Sequence, residues 1–74
     1  MGLIKKEKQL LFILDELVEV TIEYYRDDTE DCYEVSCKVK GRSFCGYGKT
    51  KALAIRDMRV DVRYFLYNIH GKIL

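Results

Sequence analysis

Ile4-Lys5-Lys6-Glu7-Lys8-Gln9-Leu10-Leu11-Phe12-Ile13-Leu14-Asp15-Glu16-Leu17 is the stretch whose period sets the architecture. Leu10, Ile13, Leu14 and Leu17 stand at i, i+3, i+4 and i+7, the stripe of a helix packed on one side. Leu11 and Phe12 widen that stripe. The spacing therefore predicts a helix over residues 4–17. From Val18 the period changes to two: Val18, Val20, Ile22 and Tyr24 alternate with Glu19, Thr21, Glu23 and Tyr25, the pattern of a half-buried strand.

The acidic run Asp27-Asp28-Thr29-Glu30-Asp31 reads as a turn. A second strand follows, with Tyr33, Val35, Cys37 and Val39 inward, and Lys40-Gly41-Arg42 reads as a tight hairpin. In the third strand, residues 43–46, burying Phe44 is worth about 1.5–3 kcal/mol, which selects the register that leaves Cys45 outside. After Gly46-Tyr47-Gly48 the period returns to 3.6, and Thr50 is placed to cap a helix from Lys51 to about Asn68, with Gly71 as its stop. Ala54, Met58, Val62, Phe65 and Ile69 fall within about 80° of one another on the wheel and are the expected sheet-facing stripe. The predicted architecture is α+β, in the order α-β-β-β-α. Two helices pack on one face of a three-stranded antiparallel sheet, and residues 1–74 form one domain.

The net charge of +1 hides a strong asymmetry. Residues 1–34 carry four Lys/Arg against ten Asp/Glu, a balance of −6, while residues 35–74 carry nine against two, a balance of +7. A basic half of this kind points to a polyanionic partner. The longest apolar run, residues 10–14, is far short of the ~20 residues a membrane span requires, and the polar N-terminus lacks the apolar stretch of a secretory leader. An intracellular location, cytoplasmic or nuclear, is expected. Cys32, Cys37 and Cys45 match no zinc-site spacing, and the only histidine, His70, is 25 residues beyond the last of them, so three reduced thiols and no metal or other cofactor are expected. Ser36 and Ser43 have no histidine near them and the carboxylates cluster in a solvated turn; no enzyme is read here.

The segment from Val35 to Ala54, with its alternating valines, its glycine turn and Gly46-Tyr47-Gly48-Lys49-Thr50-Lys51 opening the last helix, resembles the C-terminal half of a double-stranded RNA-binding domain. Within it, Ser43-Phe44-Cys45-Gly46-Tyr47-Gly48-Lys49-Thr50 looks most like the C-terminal domains of Dicer and RNase III-type nucleases. The resemblance implies a non-catalytic part of an RNA-processing or silencing factor that grips the backbone of duplex RNA by shape. It places Lys49, Thr50 and Lys51 on phosphate at the helix N-terminus. Arg56 and Arg59 follow on the same helix, and Lys5 and Lys6 stand at the start of the first. Against the family pattern, Ala52 and Ile55 stand where two phosphate-binding lysines belong, and Asp28-Thr29-Glu30-Asp31 replaces a Gly-Pro-x-His turn.

Leu53, Val60, Tyr64 and Tyr67 form a second apolar stripe, opposite the core stripe of the same helix. A helix lying on a sheet should be polar there, so the stripe predicts a protein partner or homodimer through this face, with the open sheet face as the alternative. Two functions from different classes follow: weak, sequence-independent duplex-RNA binding, or a fold of the same type turned to protein contact with RNA binding lost.

Overall fold

The computed structural model describes residues 2–73, with side chains described through residue 69. Its elements run β1 (Gly2–Ile13), β2 (Glu16–Asp27), β3 (Glu30–Val39), β4 (Arg42–Gly48) and α1 (Lys51–Ile73). The strands form one antiparallel meander in the order β1-β2-β3-β4, and the helix lies on one face of it, chiefly over β4 and β3.

This corrects the expected α-β-β-β-α order: the chain is β-β-β-β-α, and residues 4–17 hold a strand and a turn rather than a helix. A helix ending at Leu17 with a strand beginning at Val18 would leave no residue to reverse direction. The reversal occurs earlier, at Leu14-Asp15, where both residues take positive φ (46° and 68°), as in a type I′ turn, and Ile13 pairs with Glu16. The apolar spacing suited both periods. Only Leu11 and Ile13 turn to the core, whereas Leu10 and Leu17, inward on the helical reading, are 59% and 56% exposed. Lys5 and Lys6 accordingly stand on opposite faces of a strand.

The other hairpins are equally tight. β2 and β3 meet at Asp28-Thr29, and β3 and β4 at Lys40-Gly41, where φ is 51° and 80°. Val39 faces Arg42 and Cys37 faces Phe44, so Phe44 packs against the core and Cys45 is exposed, as its register requires. Val18, Val20, Ile22, Val35, Cys37 and Val39 are buried beneath α1. Burial also holds the Cys37 thiol above its ordinary pKa, as befits an inert core sulfur.

Along α1 the buried row is Ala54, Met58, Val62 and Leu66, all fully covered. Phe65 packs at the flank, 5.3 Å from Phe44 and under the Arg42 guanidinium, and Ile69 is half-exposed. This row steps i, i+4 and so winds around the helix, taking in Leu66 where a stripe parallel to the axis would take in Phe65 and Ile69. The helix also runs past Asn68 to Ile73, without stopping at Gly71; the side chain of His70 lies outside the described residues.

Gly46 and Gly48 serve contact and not the turn, since neither has positive φ. A Cβ on Gly46 would stand 2.4 Å from the Met58 amide nitrogen and 2.5 Å from the Ala54 carbonyl oxygen; one on Gly48 would stand 2.7 Å from the Ala54 nitrogen. The backbone of β4 touches the backbone of α1 here, and that contact fixes where the helix begins.

Candidate functional site

Thr50 caps α1: its Oγ1 accepts a hydrogen bond from the Leu53 amide at 3.2 Å. Lys49 and Lys51 flank the cap, but both stand among carboxylates. Lys51 Nζ donates to Glu7 Oε1 at 2.8 Å across the sheet, and Lys5 Nζ lies 3.8 Å from the other oxygen of Glu7. The Lys51 ammonium, by hydrogen bond and by charge, holds the Glu7 carboxyl below its usual 4.5. Lys49 shares a cleft of about 330 Å³ with Asp27, Glu30 and Asp31 of the acidic turn. Asp31 in turn accepts from the Tyr24 hydroxyl at 2.6 Å, which raises that phenol's pKa, and Tyr24 stacks on Tyr33 with ring centroids 4.8 Å apart.

The structure therefore brings Lys5 and Lys51 together around Glu7, in a cleft of about 220 Å³ also lined by Tyr24 and Tyr33, while Thr50 makes only its cap. It does not bring the remaining expected RNA contacts there. Lys6 is on the far face of the sheet, and Arg56 is exposed on the outer side of α1. Arg59 is half-buried, its Nε enclosed without a hydrogen-bond partner, and does not project freely toward a ligand. Glu7 was missed by the sequence reading, because a pairing across 44 residues leaves no local signal.

On the outer side of α1, Leu53, Val60, Tyr64 and Tyr67 are 49%, 58%, 73% and 72% exposed. They form one band along the helix. At one end the band is continued by Tyr47 and Gly48, which with Leu53, Arg56, Asp57 and Val60 line a shallow groove of about 400 Å³. At the other, Leu14 from the first hairpin turn joins Val60, Arg63, Tyr64 and Tyr67 around a second groove of about 380 Å³. Leu14 is a member that the helical reading of residues 4–17 placed in the core.

No protein-family profile, curated protein or solved structure matches this chain. Its function must be read from its surfaces.

The open sheet face has two regions. At its centre Glu23 pairs directly with Glu34; burial first and then both carboxylates hold the Tyr25 phenol above its ordinary pKa, and Glu34 is the largest cause of the same rise in Tyr47. Toward the first turn, Phe12 (72% exposed) pairs with Leu17 beside Leu10, an apolar cluster on the face away from α1. Among the described residues, no three His, Cys, Asp or Glu side chains are grouped to hold a metal ion, and no helix is long and apolar enough to cross a membrane.

Proposed function

We propose that this chain is a protein-contact module that offers the outer side of α1 to an apolar surface of another protein. The observation that carries this reading is the band of Leu53, Val60, Tyr64 and Tyr67, exposed in register on a helix whose opposite side already fills the core. Scattered exposed apolar residues are ordinary, whereas four aligned on one side, extended by Leu14 and Tyr47, make a contiguous patch. Tyrosine suits such a patch because the ring is buried on contact while the hydroxyl stays wet. Arg56 and Arg63 border the band and favour a partner with carboxylates around an apolar centre.

The test is selection of a displayed peptide library on the wild-type chain, with counter-selection on Tyr64→Ala/Tyr67→Ala. Ligands recovered should be apolar with acidic flanks and should bind the double variant at least ~30-fold more weakly, since truncating an aromatic anchor costs about 2 kcal/mol or more. The melting temperature should barely move, because both rings are mostly exposed. Ligands that bind both proteins equally would remove α1 from the interface.

A second reading, the duplex-RNA binding of a double-stranded RNA-binding-type domain in an RNA-processing or silencing factor, is favoured by the capped helix N-terminus between Lys49 and Lys51. Under it Glu7 competes with phosphate for Lys51. Glu7→Gln should then strengthen binding to an RNA duplex, and Lys51→Ala should lower the log–log salt slope by about one. An RNA affinity unchanged by either substitution rejects this reading. Glu7 also makes a pH prediction. Its pKa is lowered by folding, so its pairing with Lys51 stabilises fully above pH 4.5 and is lost as pH falls through the depressed folded value; Glu7→Gln should abolish that limb of an acid titration of stability.

A further inference from the structure

The sheet has two edges, and the fold treats them differently. Along β4, the tight turn makes Val39 and Arg42 a hydrogen-bonded pair, so the backbone groups of Ser43, Cys45 and Tyr47 face outward. The Tyr47 amide is then met by the chain's own helix, donating to Asp57 Oδ2 at 3.1 Å. Along β1, the Leu14-Asp15 turn makes Ile13 and Glu16 the bonded pair, so Lys8, Leu10 and Phe12 turn their N–H and C=O groups away from β2. No element of the described chain lies beyond them.

An exposed strand edge is a template for another strand, and lysines on it are a usual guard. Lys5, Lys6 and Lys8 guard the first half of β1. Residues 9–13, Gln-Leu-Leu-Phe-Ile, carry no charge, glycine or proline and leave the second half open. We infer that β1 pairs edge to edge with β1 of a second copy, joining two four-stranded sheets into one of eight strands about a two-fold axis.

The charges select the register. In an antiparallel two-fold pairing, opposed residues share a face, so the axis passes beside a single residue. Centring on Glu7 or Lys8 opposes that residue to its own like charge. Centring on Gln9 or Leu10 sets lysines against Leu10 or Phe12. Centring on Leu11 confines the pairing to residues 9–13, leaves Lys8 beyond it beside the partner's turn, places Leu10 opposite Phe12 of the second copy, twice, and brings both Phe12–Leu17 pairs into one apolar surface on the open face. Leu10 and Phe12 are also the residues whose backbone groups face outward, so the side-chain match and the hydrogen-bond match coincide. This inference does not rest on the α1 reading, because it uses the backbone edge and open-face side chains of β1 and none of the side chains on α1.

The test is sedimentation of the full chain over a range of concentrations, with Leu10→Pro as the main variant. Proline at position 10 removes only an outward amide, which edge strands tolerate. It should leave the monomer's circular dichroism intact and raise the dimer dissociation constant about 100-fold or more through the lost symmetric hydrogen bonds. Tyr64→Ala/Tyr67→Ala should leave the dimer intact. In the wild-type chain, amide exchange at Leu10 and Phe12 should slow as dimer accumulates, a readout that stands even if the proline variant fails to fold. A chain monomeric at millimolar concentration, exchange at Leu10 and Phe12 indifferent to concentration, or a dimer lost with the tyrosine pair and kept with Leu10→Pro would each overturn the inference.

Discussion

Gly46→Ala is expected to lift the helix off the sheet. The added methyl would meet the Met58 nitrogen and Cα and the Ala54 carbonyl, at 2.4, 2.9 and 2.5 Å, and all three are backbone atoms of α1. A flexible side chain could swing away; a helical backbone cannot. Overpacking typically costs 1–3 kcal/mol, and with no soft neighbour the cost here should be about 3 kcal/mol or more. In a domain of this size that is a fall of roughly 10–25 °C in melting temperature. Gly41→Ala is the control. Its Cβ would meet nothing within 4 Å, so only the positive φ of 80° opposes it, at a cost of about 1 kcal/mol. Urea unfolding of the two variants decides the matter: equal midpoints would mean that β4 and α1 do not touch at Gly46.

Leu66→Ala should rank next. Leu66 is fully covered at the end of the row Ala54, Met58, Val62, and truncating such a leucine leaves a cavity costing about 2–5 kcal/mol. Ile69, which a stripe drawn parallel to the helix axis would make equally important, is half-exposed and should cost less than half as much on the same substitution. The measurement is again the urea midpoint at unchanged slope. If Ile69→Ala proves the more damaging, the core row ends at Ile69 and not at Leu66.

The middle of the chain was legible because each of its strands has one side against the core. Val20, Ile22, Val35 and Val39 alternate with polar neighbours, and that alternation names both the strand and its inner face. The first hairpin was not legible for the converse reason. β1 is an edge strand with only two core side chains, and its apolar residues on the open face imitate a helical stripe. Leu14 reinforced the imitation, since a leucine at φ 46° is a residue that no turn rule anticipates. At the helix start, Lys49, Thr50 and Lys51 could be named from the cap and its flanking lysines. The pairing of Lys51 with Glu7, and the place of Lys49 beside the acidic turn, could not, because both depend on the chain returning across the sheet. The outer band on α1 needed only the helical period, and for that reason its members stand where the wheel put them.

The meander has a consequence for how the molecule acquires its shape. Every strand pairs with the one before it and α1 settles chiefly on the two strands that precede it, so most contacts join chain segments close in sequence. Loop closures of that kind are short, and domains dominated by them fold fast, well ahead of sheets assembled from distant strands. The order of synthesis matches the order of assembly: each hairpin can close on emergence, and only the helix must wait. Until it arrives, Val20, Ile22 and Val35 face solvent on one side of the sheet. The interval between completing β4 and docking Leu66 is thus the chain's exposed moment, when intermolecular pairing competes with folding. Lys5, Lys6 and Lys8 at the head of β1 are charges of the kind that slow such association.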